Sequence, residues 1–218
     1  VTMRHKKAGI LIDFDGVISK NSIQMTCNFI HDFINRFTPI GSEYIENYIK
    51  VIASFPVADT VKLLFNALGI GDRLEQFQRE FLEFDSDKNN FIICDDFEEF
   101  IEICHKNSIV YKVFSLATPE RLRHIDCLDG DAVLALNNVS KADSATYTNL
   151  ARDMGLNLKN WYYIDDNPMA LRAGKLAGLI TAMMTNNMYT EADYQIFKEF
   201  IDVRVTSFRE LGNIANFR

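Results

Sequence analysis

Asp13, Asp15 and Gly16 stand in the segment GILIDFDGVI, directly after an aliphatic run. Residues two apart on an extended chain face the same side, so a continued strand would hold two carboxylates side by side. Such a pair repels itself unless a cation or a proton lies between. Three further polar points attract notice. VFSLAT carries Ser115, with Thr118 just beyond; SKADSATYTNLARDMG carries Lys141; and WYYIDD ends in Asp165 and Asp166. Taken singly, each has a plain structural explanation. Asp-Gly after a strand is a turn sequence, a serine there caps the next helix, most lysines are solvated, and Asp-Asp-Asn-Pro is a good turn and N-cap.

Taken together they depend on the elements that carry them. Residues 9–13 form a short apolar run that stops at a polar loop, the pattern of a central parallel strand. From 22 to 37 the apolar residues Ile23, Cys27, Ile30, Phe33, Ile34 and Phe37 recur at helical spacing. Further helices are predicted over 42–53, 57–68 and 71–84, so residues 22–84 read as all-helical. The phenylalanines of this stretch, Phe29, Phe33, Phe37, Phe55, Phe65, Phe77 and Phe81, follow the same spacing and read as core. Its basic residues, Lys50 and Arg36 among them, read as solvated. The acidic stretch 85–90 reads as a loop, and 95–105 as a helix.

Then the pattern changes. Strands are predicted over 108–115, 132–136, 161–164 and 179–184, separated by helices over 119–125, 144–154 and 169–177. The tail 202–217 offers a last strand and a closing helix. Alternating strands and helices imply right-handed crossovers and a parallel sheet covered on both faces. The expected fold class is therefore α/β, a doubly wound, mainly parallel sheet split after its first strand by a helical insertion. Residues 1–19 and 93–218 make the core and 20–92 the insertion. In open α/β sheets ligands bind beyond the carboxyl ends of the strands, where acids, a hydroxyl, a lysine and more acids would converge.

Composition narrows the functional classes. The chain has 218 residues, 48% of them hydrophobic, which suffices for a packed core, and a formal charge of -7 with the basic residues scattered. No basic face for nucleic acid is expected. Cys27, Cys94, Cys104 and Cys127 lack CxxC spacing, so they read as small core residues of a reducing compartment rather than zinc ligands. No apolar run approaches the roughly 20 residues needed to cross a bilayer. The expectation is a soluble, cytoplasmic protein without a membrane segment.

In this order, and at these strand ends, the motifs resemble those of the haloacid dehalogenase-like hydrolase superfamily. Asp13 to Gly16 match its DxDG motif, Ser115 its strand-end hydroxyl, Lys141 its lysine, and Asp165 with Asp166 its acidic fourth motif. The likeness covers residues 8–18 and about 106–211. It implies a phosphatase with a Rossmann-like core, in which the insertion 20–92 is a helical cap closing over the site. Departures are Ala170, where many relatives carry another acid, and Ala142, where proline is frequent. Lys112 is unusual inside a strand, and suggests an edge position or a side chain reaching out to water.

The resemblance also implies roles. Asp13 would be the nucleophile forming an aspartyl-phosphate and a ligand of magnesium. Asp15 would supply its backbone carbonyl to the metal and its side chain as acid and base. Asp166, with Asp165 directly or through water, would complete the metal site. Ser115 and Lys141 would bind the phosphoryl group, and Gly16 would let the backbone turn tightly enough to present amides to it. A hard cation held by carboxylates, phosphate and water answers the charge repulsion of such chemistry. The implied partner is a phosphorylated small molecule, with a phosphoprotein (phosphotyrosine) substrate, a phosphomutase and a non-catalytic domain with a vestigial site as alternatives. Asp15 argues against the metal-free dehalogenases and the phosphonate-cleaving members, which typically lack that acid.

Overall fold

The computed structural model describes residues 9–123, 125–128, 132–136 and 139–214. Six strands, β1 (Gly9–Ile12), β2 (Val110–Ser115), β3 (Val133–Ala135), β4 (Trp161–Asp165), β5 (Ile180–Met184) and β6 (Val203–Val205), form one sheet in the order β3-β2-β1-β4-β5-β6. Every pairing is parallel, and β1 lies between β2 and β4, with Ile12 opposite both Val113 and Ile164. Central parallel strands must be apolar on both faces, and all four residues of β1 are buried.

Alternation divides these side chains between two cores. Ile10, Ile12, Val113 and Ile164 face one cluster, completed by helices α5 (Phe97–Lys106) and α10 (Phe208–Ile214). Leu11, Phe114, Tyr163 and Met183 face the other, covered by α7 (Ser144–Met154) and α8 (Pro168–Leu176). The sheet is thus covered on both sides, as the sequence pattern predicts. Each fully buried aliphatic side chain here contributes about 1.5–3 kcal/mol. Lys112 does not mark an edge: β2 has β1 on one side and β3 on the other, and the lysine is half-buried.

Between β1 and α5 the chain makes four helices, α1 (Ser22–Asn35), α2 (Ser42–Ile52), α3 (Val57–Ala67) and α4 (Leu74–Ser86). They enclose a third cluster in which Phe33, Phe65 and Phe77 meet with ring centroids 5.1–5.6 Å apart. Phe37 and Phe55 depart from the expected core packing and are more than a third exposed, because both fall just beyond the ends of α1 and α2. The four helices touch the sheet domain at defined points. Lys141 N donates to Ser54 O at 2.8 Å, and Lys50 pairs with Asp193 at 2.5 Å.

Two short helices complete the chain. α6 (Pro119–Leu122) follows β2, capped by Thr118 with proline at its first turn. α9 (Glu191–Phe197) has a capping box in which Thr190 and Asp193 bond reciprocally. α9 is not among the helices expected from periodicity, although Thr190-x-x-Asp193 is an N-terminal signature. The predicted acidic loop also needs correction: Asp85 and Ser86 form the last turn of α4, and Asp85 is fully buried. The expected closing helix is described as far as Ile214, and residues 215–217 lie outside the described residues.

Candidate active site

Asp13 follows β1 directly, and its backbone N–H still donates to Ile164 O on β4 at 2.9 Å. That bond keeps the residue in register with the strand end while its side chain turns into a cavity. Asp13 Oδ1 accepts Phe14 N–H at 2.7 Å and pairs with Lys141 Nζ at 2.5 Å. Lys141 is 3% exposed and reaches the site from the turn before α7, where Tyr147 O–H donates to its carbonyl at 2.9 Å. Its Nζ also meets Asp165 Oδ2 at 3.0 Å.

Asp165 ends β4 and is held from three directions. Besides Lys141, it accepts Tyr163 O–H on Oδ2 and Asn167 N–H on Oδ1 at 2.8 Å. Asn167 in turn caps α8 by accepting Met169 N–H at 2.9 Å. Asp166 is fastened by Asn186 Nδ2, which donates to its Oδ2 at 2.5 Å and to Gly16 O at 3.2 Å. Asp13, Asp165 and Asp166 each offer a carboxylate oxygen within 4.8 Å of the others.

Three buried acids share one lysine, and their protonation reflects it. Burial pushes the Asp13 carboxyl up to about 7, with Asp165 and Asp15 adding to the rise and Lys141 opposing it. Asp166 is pushed well above the usual carboxylate range by burial, then by Asp165 and Asp13. Burial works to lower Lys141, but Asp13 and Asp165 outweigh it and hold the ammonium charged. The cluster lacks positive charge. An all-oxygen, anionic donor set of this kind fits a hard divalent cation, which binds through one or two carboxylates and retains waters. Asp13, Asp165 and Asp166 are the carboxylates gathered closely enough to hold it.

Gly16 sits where a side chain would not fit. Its φ is +76°, and a Cβ there would stand 2.4 Å from Asp166 Oδ2 and 2.7 Å from Ile23 Cδ1. The glycine lets the turn after β1 pack against Asp166. Its own N–H donates to Ser19 O at 3.1 Å, so that amide closes the turn in this structure. Ser115 ends β2, fully buried, and its Oγ accepts Ala117 N–H at 3.0 Å. The adjoining cavity wall is made by Leu116, Ala117 and Thr118.

One group in the site has no counterpart among the residues singled out from sequence. Arg121, on α6, is 4% exposed and bridges two carboxylates. Its Nη1 lies 2.5 Å from Asp15 Oδ1, and its Nε 2.7 Å from Asp85 Oδ1. Thr118 Oγ1 donates to the other oxygen of Asp85, and the guanidinium covers the Phe91 ring at 4.5 Å. Nothing in the sequence separates Arg121 from Arg123, two residues on, yet only Arg123 is exposed. A signal for Asp85 was present, since it falls four residues after Phe81 on the apolar stripe of α4.

Asp13, Asp15, Asp85, Arg121, Lys141 and Asp166 all line a cavity of about 120 Å³ between the strand ends and helices α1–α4. Among the described residues no helix is long and apolar enough to cross a membrane. No family model matches the chain, and no curated protein matches it. Solved structures do. CbbY from Rhodobacter sphaeroides, in complex with phosphate, aligns at 15% identity and TM-score 0.73 over 94% of this chain and 96% of that one. A hydrolase from Pseudomonas syringae aligns at 14% identity and TM-score 0.72 over 96% and 100%. A HAD hydrolase of family IA, variant 3, from Entamoeba histolytica aligns at 15% identity and TM-score 0.68 over 93% and 94%. The fold of this chain is that of the haloacid dehalogenase-like hydrolases.

Proposed function

We propose that this protein is a magnesium-dependent phosphatase that hydrolyses small phosphomonoesters through an aspartyl-phosphate on Asp13, with residues 20–92 acting as a helical cap. The observation that carries the reading is the 2.5 Å pair of Asp13 and Lys141 inside a buried cluster of three carboxylates at the strand ends. Both partners of the Asp13 side chain fall on Oδ1, which leaves Oδ2 available as the nucleophile.

The proposed steps use these side chains in turn. Asp13 Oδ2 attacks phosphorus, the bond to the leaving oxygen breaks, and Asp15 gives that oxygen a proton. Asp15 then takes a proton from a water, which attacks the phosphoryl group and releases inorganic phosphate with the Asp13 carboxylate restored. Arg121 fixes Asp15 through Oδ1, leaving its other oxygen for the proton. Lys141 balances charge beside Asp13 throughout. Magnesium, when bound, neutralises the charge that builds between the carboxylates and the phosphoryl oxygens. Asp165, held by Lys141, Tyr163 and Asn167, orients the lysine and would add its charge to the metal site, directly or through water. Ser115, whose Oγ holds the Ala117 N–H, and Gly16, whose amide closes its own turn, back the cavity wall rather than line it.

CbbY structures hold phosphate and a xylulose bisphosphate, in keeping with a phosphorylated small molecule here. The test is phosphate release from a panel of sugar phosphates, nucleotides and phosphotyrosine peptides, with and without magnesium. Asp13→Asn abolishes turnover and acid-stable protein-bound phosphate while the circular dichroism spectrum is retained; turnover within tenfold of the parent would remove Asp13 as nucleophile.

A further inference from the structure

The part of the cavity wall contributed by α1–α4 offers little to a charged or hydroxylated group. Ile23, Ile49, Ile52, Ala53, Val57 and Phe81 make most of it. Its two threonines are already engaged. Thr60 Oγ1 donates to Val57 O at 2.9 Å, and Thr26 Oγ1 accepts from Arg121 Nη2 at 3.4 Å.

Arg121 would otherwise be the natural anchor for an anion, since its planar fork matches carboxylate and phosphate oxygens. Asp15 and Asp85 occupy that fork from both sides. Asp85 comes from α4 and is fully buried, so the helical insertion itself cancels the cation. Five carboxylates and two cations line the cavity, an excess of three negative charges when all are ionised. A divalent cation reduces the excess to one, and the phosphoryl group of a substrate restores it. A second anion on the substrate would enter this field, in a low-dielectric space, with no counter-ion.

Resting on the phosphatase reading above, we propose that the site selects phosphomonoesters of largely apolar alcohols without a second anionic group, and that Asp85 is the specificity-determining residue. It acts by occupying Arg121, so that bisphosphates and phosphorylated carboxylic acids are rejected. Uncharged and cationic leaving groups pass.

Three esters of nearly equal length, assayed by phosphate release with magnesium, test this: propyl phosphate, 2-aminoethyl phosphate and the three-carbon phosphate ester ending in a carboxylate. With the unaltered protein, kcat/KM for the carboxylated ester is lower than for propyl phosphate by about tenfold or more, and the aminoethyl ester is at least as good as propyl phosphate. Asp85→Asn frees the guanidinium on one side and narrows the gap by about fivefold or more, through a lower KM for the carboxylated ester. Asp85→Ser serves the same purpose should the asparagine variant not fold. Turnover of the carboxylated and propyl esters at equal efficiency by the unaltered protein overturns the selectivity while leaving the phosphatase reading intact. An unchanged ratio in a folded Asp85 variant removes Asp85 as its source. If no ester is turned over, the phosphatase reading fails and the inference with it.

Discussion

Replacing Arg121 with methionine removes the cation that joins Asp15, in the loop after β1, to Asp85, at the end of α4. Methionine keeps the apolar length over Phe91 but leaves two carboxylates facing each other, one of them fully buried. Breaking a buried pair by deleting one partner costs about 3–5 kcal/mol. Asp85 has one escape, which is to take a proton. Burial already pushes its pKa above the ordinary value, against the pull of Arg121 and Thr118, and losing Arg121 removes the stronger pull. A carboxyl whose folded pKa exceeds its unfolded value contributes stability at low pH and loses it as pH rises through the folded pKa. The deficit of the variant is therefore small near pH 5 and full at pH 8. At about 2–4 °C per kcal/mol for a chain of this size, the melting temperature at pH 8 falls by about 6–20 °C. Thermal unfolding followed by circular dichroism at both pH values measures it, and Arg121→Met combined with Asp85→Asn recovers most of the loss because no buried charge is left alone. A deficit at pH 8 within about 0.5 kcal/mol of zero, or one larger at pH 5 than at pH 8, would refute the reasoning.

Three further outcomes follow from the geometry. Gly16→Ala forces a side chain onto a backbone at φ +76° and against Asp166; it costs about 1–3 kcal/mol, seen in urea unfolding, and weakens magnesium binding in a thermal-shift titration. Tyr163→Phe deletes the hydroxyl that donates to Asp165 and lowers unfolding free energy by about 1.5–3 kcal/mol, whereas Tyr162→Phe, on the opposite face of β4, leaves the magnesium dependence of activity unchanged. Magnesium at 100 times its dissociation constant stabilises the folded state by about 2.7 kcal/mol, a rise of about 5–11 °C that chelator reverses and that Asp166→Asn diminishes.

The positions of the strand ends were legible because their cause is local. GILI, VYKVFS and WYYID are apolar on both faces, and a strand buried on both faces is recognisable from its own residues together with the turn or cap that follows. Asp13, Ser115 and Asp165 stand at those ends, so their gathering at one edge followed from parallel pairing alone. Gly16 was equally readable as a tight turn. What the glycine packs against, Asp166 and Ile23, was not.

The amino-acid sequence by itself determined the layered α/β architecture, the helical insertion after β1, and the acids and lysine at the strand ends. Periodicity and turn chemistry act within a few residues and need no knowledge of partners. Only the tertiary structure decided the charge state and wiring of the site. Lys141 lies between Asp13 and Asp165, Asn186 holds Asp166, and Arg121 joins Asp15, 106 residues away in the chain, to Asp85, 36 residues away. A charged side chain on a helix is solvated unless a counter-charge meets it where water is excluded. That meeting depends on how α4 packs over α6, a long-range event with no trace in either helix alone. The same packing turned a stretch that reads as an acidic loop into the buried carboxylate that governs what the cavity will accept.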